Sequence, residues 1–121
     1  MLRCMSSLPS PLPDPLVELI AQRFRLLGEP TRIKLLDALR AGPATVTELQ
    51  AATDASQQNV SKHLGMLVDA GLVRRVKDGN RAYFSIADES LFDLCEQVCG
   101  SLRRQLAELD AVLQLEGEPT R

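Results

Sequence analysis

The sequence contains few of the residues from which catalytic and metal sites are usually built. Its 121 residues include one histidine, three cysteines and no tryptophan, and only 3% are aromatic. A core made from these residues must be mainly aliphatic, and the apolar fraction of 45% is enough for one domain. Internal repeats and a glycine-rich phosphate-binding loop are also absent from the sequence.

Long hydrophobic runs are absent too. No apolar segment approaches the roughly 18 residues that a membrane-spanning helix needs. Residues 1–13 are rich in proline and serine and lack the apolar stretch of a secretory signal, so we expect a flexible arm and a cytoplasmic protein. In that compartment the three cysteines are expected to be thiols or metal ligands rather than structural disulfides.

Charge is distributed unevenly along the chain. The formal net charge of −2, taken globally, argues against a nucleic-acid partner. However, residues 57–86 hold five basic and two acidic side chains, whereas residues 87–121 hold three basic and eight acidic ones. The positive charge is therefore concentrated in the middle of the chain, as a DNA-binding surface there would require.

The segment from residue 45 to residue 73 has the pattern of two helices joined by a tight turn. Apolar spacing predicts the first helix from Val46 to about Ala52, capped by a threonine. The second is predicted from Gln57 to about Ala70, with Ser56 as its N-cap and Gly71 closing it. Together they form a candidate helix-turn-helix.

The outward face of the second predicted helix is polar and almost uncharged. Short side chains that both donate and accept hydrogen bonds suit base edges in the major groove. Free backbone N–H groups at the helix N-terminus suit phosphate. The pattern favours a DNA-reading helix over the alternative, a polar surface helix in a small α-helical bundle. The residues on this face are Gln57, Gln58, Ser61 and Lys62.

Patterns on either side extend the domain. Two apolar helices are predicted before residue 43, the first capped by Asp14 and the second opening at Glu29. Two extended runs, 72–77 and 81–86, flank a strong turn signal at residues 78–80. With Lys77 and Arg81 near its tip, this hairpin is interpreted as a wing that reaches phosphates or the minor groove; the alternative is a hairpin that merely covers the core.

A long final helix is predicted from Glu89 to about Leu115, with Asp88 as its cap. Its wide apolar stripe needs a partner surface, so we expect dimerisation through the first and last helices. Two-fold symmetry would place two recognition helices roughly 34 Å apart, one turn of DNA. The predicted organisation is a mainly α winged helix-turn-helix domain at residues 14–115, preceded by the arm at 1–13 and followed by a tail at 116–121.

Three blocks, in this order, resemble the ArsR/SmtB family of winged-helix repressors: residues 24–39, 45–73 and 76–86. The resemblance implies a homodimeric repressor that binds an imperfect palindrome in double-stranded DNA and leaves it when an inducer binds. The family's DNA-reading positions correspond to Ser56, Gln57, Gln58, Ser61, Lys62 and His63 on the recognition helix, and to Lys77, Asn80 and Arg81 on the wing.

The two best-known inducer sites of the family are not found in this sequence. The cysteine pair resembling C-V-C is missing from residues 45–54, and the last helix has no histidine for a zinc site. His63 is expected to face DNA or to pack, because no second histidine or thiol lies near it.

What remains is Cys95 and Cys99 on the last helix, with Cys4 in the arm. Cysteines at i and i+4 share one helix face, with Cβ atoms about 5–6 Å apart, so their thiolates can converge on a soft metal ion. Cys4 can supply a third thiolate, as As(III) would need. Three interpretations stay open: a thiolate-bound metal or metalloid, a thiol that senses oxidants or persulfide, and small buried hydrophobes.

Other classes of function fit less well. A thiol enzyme would need a base beside Cys95 or Cys99, and His63 is expected to lie far from them, so we expect no catalysis. A protein-interaction module, or a DNA-binding module without an inducer, is the main alternative. The polar recognition face and the basic wing favour an inducible repressor.

Overall fold

The computed structural model describes residues 8–115, and these form five helices and one hairpin. Residues 1–7 and 116–121 lie outside the described range, together with Cys4, most of the predicted arm and the whole predicted tail. The mainly α fold class with a two-stranded antiparallel hairpin is confirmed. The elements are α1 (Asp14–Leu27), α2 (Pro30–Leu39), α3 (Val46–Thr53), α4 (Gln57–Asp69), β1 (Val73–Asp78), β2 (Arg81–Ile86) and α5 (Ser90–Leu115).

Side-chain caps determine where the helices of the central segment begin. Thr45 and Glu48 form a reciprocal capping box at α3, since Thr45 Oγ1 accepts from Glu48 N at 3.3 Å and Glu48 Oε1 accepts from Thr45 N at 2.9 Å. Ser56 Oγ accepts from Asn59 N at 3.1 Å at the start of α4. These bonds satisfy N–H groups that lack partners in the first turn. The predicted starts of both helices are confirmed.

Several predicted boundaries are wrong by one residue. Helix α1 begins at Asp14 itself, after Pro13, and has no side-chain cap. Helix α5 begins at Ser90 rather than Glu89, and Asp88 Oδ1 accepts from Ser90 N at 3.0 Å. Strand β1 is Val73–Asp78 rather than 72–77, so two residues rather than three form the turn.

The core of the first 87 residues is aliphatic, as the composition predicts. Each buried leucine contributes roughly 1.5–3 kcal/mol relative to an exposed one, so this cluster is the main source of stability. The apolar spacing of α2 and α3 predicts burial of Ile33 and Ala52, but both are exposed. Ile33 is 49% exposed, and Thr53 is buried in place of Ala52. The fully buried side chains are Leu35, Leu49, Val60, Leu64, Leu67 and Leu72.

The hairpin is attached to the start of the helix-turn-helix by the backbone. Phe84 in β2 donates to Ala44 O at 2.8 Å and accepts from Ala44 N at 3.0 Å. The Phe84 side chain is buried, with 6% exposure. The base of the hairpin is therefore held against the residue that precedes the capping box of α3.

The chain divides into two compact units between Ala87 and Asp88, and α5 makes up the described part of the second unit. The apolar stripe predicted for this helix is largely exposed in the single chain. In the part of the chain that the structure describes, no helix has the length and apolarity to cross a membrane. The exposed residues of the stripe are Val98, Leu102, Leu106, Leu109, Val112 and Leu113.

Candidate nucleic-acid interface

A tight turn joins α3 to α4. Asp54, the C-cap of α3, has a left-handed backbone with φ of 60°, a conformation that aspartate tolerates better than most residues. Ser56 then starts α4, and Leu49 of α3 and Val60 of α4 are both buried behind the turn. This arrangement leaves the opposite side of α4 open to solvent.

The open side of α4 carries the polar side chains predicted from the sequence. Gln57, Gln58, Ser61 and Lys62 are exposed and together line one shallow, open depression. Asn59, which was not among the predicted contacts, is exposed on the same helix. The first turn of α4 also presents backbone N–H groups that lack partners within the helix. A surface of this kind can donate to and accept from base edges and phosphates.

His63 does not belong to this exposed face. The residue is 8% exposed, and Nδ1 lies 3.0 Å from Arg32 Nη1 on α2. Arginine only donates, so Nδ1 accepts and the proton of the neutral imidazole is assigned to Nε2. Nε2 in turn lies 4.0 Å from Glu29 Oε1. Of the two roles expected for His63, facing DNA or packing, its burial and the bond to Arg32 favour packing.

Glu29 connects this cluster to the start of α2. Its Oε1 accepts from Arg32 N at 3.0 Å, which caps the helix. That backbone hydrogen bond, assisted by the backbone N–H of Thr31 and the charge of Arg32, holds the pKa of the Glu29 carboxyl below its ordinary value of 4.5. The carboxylate therefore stays ionised beside the imidazole.

The wing presents its predicted residues at an exposed tip. Lys77, Asn80 and Arg81 are all exposed, and Gly79 has φ of 66° in the two-residue turn. A positive φ at the first turn position matches the hairpin turns that preserve strand twist. The predicted turn signal is confirmed at these residues.

The strand register separates the two basic residues of the tip. Lys77 lies opposite Ala82, whereas Arg81 lies opposite Asp78. Directly opposed residues share a face and neighbours along a strand alternate, so Lys77 and Arg81 point to opposite faces of the hairpin. Arg75 shares the Lys77 face and is exposed. Sequence reasoning did not single out Arg75, although alternation from Lys77 would have indicated it.

The cysteines on α5 are accessible. Cys95 and Cys99 are both free and exposed, one helical turn apart. Among residues 8–115, no three histidine, cysteine, aspartate or glutamate side chains are grouped so as to hold a metal ion. The described residues therefore offer two thiols on one helix face rather than a complete three-ligand site.

Two helices joined by a tight turn, an exposed polar recognition face and a basic hairpin define a winged helix-turn-helix DNA-binding protein. Comparison with known proteins agrees, because a family described as a helix-turn-helix domain matches residues 27–76. The chain is 36% identical over 98 residues to a protein of Streptomyces lividans named "Probable mercury resistance operon repressor", covering 81% of this chain and 78% of that one.

Solved structures show the same fold. The crystal structure of Rv0081 from Mycobacterium tuberculosis superposes with a TM-score of 0.73 at 33% identity, covering 79% of this chain and 97% of that one. The solution structure of Mb0332 from Mycobacterium bovis, described as a homodimeric winged helix-turn-helix domain, gives a TM-score of 0.60 at 25% identity over 93% of this chain and 99% of that one. The chain belongs to the ArsR/SmtB family and is a DNA-binding transcriptional repressor.

Proposed function

We propose that the chain acts in the cytoplasm as a homodimer that represses transcription from a palindromic operator, and that a thiol-reactive inducer releases it. The observation that carries the proposal is the open face of α4, where four polar side chains are exposed together. The proposed DNA contacts are Ser56, Gln57, Gln58, Ser61 and Lys62 on α4, and Lys77, Asn80 and Arg81 on the wing.

Each group of contacts has a distinct chemical task. Gln57 and Gln58 can form paired hydrogen bonds with a base edge, since a primary amide both donates and accepts. Lys77 and Arg81 neutralise phosphates and so supply affinity without reading sequence. Specificity is therefore assigned to α4, and salt-dependent affinity mainly to the wing.

Dimerisation is proposed through α1 and α5. The apolar row on α5 supports it, because Leu102, Leu106 and Leu109 are each more than half exposed in the single chain. Apolar rows of this length are usually covered by a partner. The description of Mb0332 as a homodimer supports the same arrangement.

The proposed inducer site is the Cys95/Cys99 pair, with Cys4 as an additional thiolate. Both thiols on α5 are exposed in the single chain, so neither acts as a small buried hydrophobe within it. Thiolates select soft ions such as mercury or As(III), and the name of the Streptomyces lividans relative supports a soft metal. To relieve repression, the inducer must favour the DNA-free state by about 1–3 kcal/mol, or roughly 5–150-fold in affinity.

A DNA-release assay tests the proposal. The wild-type chain first selects a duplex from a random library, and its dissociation constant is measured by fluorescence anisotropy. Hg(II), arsenite, zinc, peroxide and persulfide are then added in turn. We expect at least one thiol-reactive compound to weaken binding, and a chain with both Cys95→Ser and Cys99→Ser to remain bound.

The Cys4→Ser variant is the matched control, because it removes one thiol and leaves the α5 pair intact. Retained release in this variant assigns the inducer to the pair alone, and lost release assigns it to a three-thiolate site. Unchanged release after both α5 substitutions would reject the inducer site. Equal affinity of the wild-type chain for selected and scrambled duplexes would reject sequence-specific repression.

A further inference from the structure

Arg32 joins two helices that are distant in the sequence. Its Nε donates to the backbone carbonyl of Leu26 at 2.7 Å, and its Nη1 lies 3.0 Å from His63 Nδ1 and 3.1 Å from Met66 Sδ. Leu26 belongs to the last turn of α1, where carbonyls lack partners within the helix. One guanidinium therefore connects the end of α1 to the rear of the recognition helix α4.

A second arginine makes a separate connection between the same two helices. Arg23 on α1 donates through Nη2 to the carbonyl of Ala70 at 3.3 Å. Ala70 is the C-cap of α4, where a cation is favoured by the helix dipole. Helix α4 is thus tied to α1 near its middle and at its C-terminal end.

These hydrogen bonds constrain the rotation of α4 about its own axis, which aliphatic packing alone does not fix. The buried residues of α4 other than His63 are Val60, Leu64 and Leu67, and hydrophobic contact with them has no preferred direction. A hydrogen bond does have one, and it weakens steeply when misaligned. At a helix radius of about 5–6 Å, a rotation of about 10° about the axis moves an outward side chain by about 1 Å. Such a shift is enough to misalign contacts with a base edge.

We propose that Arg32, through His63 and with the help of Arg23, sets the rotation of α4 and thereby the sequence specificity of DNA binding. Arg32 and Arg23 are positioning residues, because they act through α4 rather than by touching DNA. The inference rests on the proposed DNA-reading role of α4. It gives the buried His63 a task in recognition: to accept the bond that orients the exposed face.

The test compares the affinity for a duplex that the wild-type chain selects from a random library with that for a scrambled duplex. His63→Leu removes the acceptor, and we expect the ratio of the two affinities to fall roughly tenfold, about the value of one base contact. His63→Asn keeps an acceptor near the Nδ1 position and should restore most of the ratio. Arg32→Lys keeps the charge but cannot reach both partners, so it should lower the ratio as His63→Leu does.

The ratio separates positioning from a merely structural role. A loss of folded protein lowers both affinities by the same factor, whereas a rotated α4 lowers only the specific one. Thermal melts establish whether each variant is folded at the assay temperature. If His63→Leu is unfolded there, the test relies on Arg32→Lys. Arg23→Gln removes the bond to Ala70 and should also lower the ratio. Arg25→Gln is its control, because it removes the same charge from α1 at a surface ion pair with Glu18.

Three results would overturn the inference. The first is an unchanged ratio in both His63→Leu and Arg32→Lys, and the second is an equal fall in His63→Asn and His63→Leu. The third is a wild-type chain without any preference, which would also remove the DNA-reading role of α4. The first two results leave that role intact, so failure of the inference and failure of the proposed function can be told apart.

Discussion

Replacement of Lys77 with alanine is expected to lower both the affinity for DNA and its dependence on salt. Each phosphate contact contributes about 0.9 to the slope of log affinity against log salt concentration. A dimer loses two contacts, so the slope should become shallower by about 1.8. When the salt concentration is doubled from about 0.1 to about 0.2 M, the ratio of wild-type affinity to variant affinity should then fall roughly 3.5-fold.

The same change at Arg81 is expected to have a smaller effect. Arg81 lies opposite Asp78 in the hairpin register, at a Cβ separation of about 5 Å, whereas Lys77 lies opposite the neutral Ala82. The aspartate reduces the positive potential that Arg81 presents to a phosphate. Asp78→Asn should therefore increase affinity, and most of that increase should disappear in the Arg81→Ala background.

Fluorescence anisotropy across a salt series measures these slopes with both the selected and the scrambled duplex. Equal slope changes for Lys77→Ala and Arg81→Ala would refute the reasoning from the register. A change of about 0.9 rather than 1.8 would indicate that one chain, not two, binds each site. If Lys77→Ala lowers the affinity for the selected duplex alone and leaves the salt slope unchanged, Lys77 contacts a base rather than a phosphate.

Three further predictions concern caps, acid and association. Thr45→Ala removes half of the capping box and should lower the free energy of unfolding by about 1 kcal/mol in urea titrations. Because the backbone N–H of Arg32 lowers the pKa of Glu29, the stability from that carboxylate is present above its unfolded pKa and is lost as the pH falls through the lower folded value. Glu29→Gln should thus flatten the acid loss of stability below pH 4.5. Leu106→Glu should dissociate the proposed dimer in sedimentation equilibrium, whereas Gln105→Glu, with the same added charge, should not.

The helix-turn-helix could be predicted from the sequence because its signals are local. Ser56 caps a helix, and Gly71 stands where a positive φ is needed, which the structure gives as 80°. Both act within a few residues of their own position, so periodicity and cap chemistry are sufficient. The burial of two residues of α3 differs from the prediction, since Ala52 is exposed and Thr53 is buried. This helix has only about two turns, which is too few for apolar spacing to define its buried face accurately.

The role of His63 required contacts that the sequence does not display. Its spacing does hold a signal, because it lies three residues after Val60 and four before Leu67 and therefore borders the buried stripe. What no pattern could supply is Arg32, 31 positions earlier, as its partner. Long-range polar contacts of this kind depend on how helices cross, which local propensity does not determine. The exposure of Gln57 was predictable because it follows from helical periodicity. The exposure of Lys77 follows instead from its place near the hairpin tip, since it lies on the same face of the hairpin as the buried Phe84.

The two arginines on α1 and α2 also indicate how a change elsewhere in a dimer can reach DNA. Helix α1 is one of the two proposed dimer helices, and Arg23 and Arg32 connect it to α4 by directional bonds. A shift of α1 against its partner must therefore either turn α4 or break a bond that holds it. If α4 reads DNA as proposed, either outcome would disfavour the DNA-bound arrangement, so an inducer that moved α1 would have a route to the recognition face. The route predicts that Arg32→Lys weakens coupling to the inducer as well as specificity, since the coupling and the orientation of α4 depend on the same contacts.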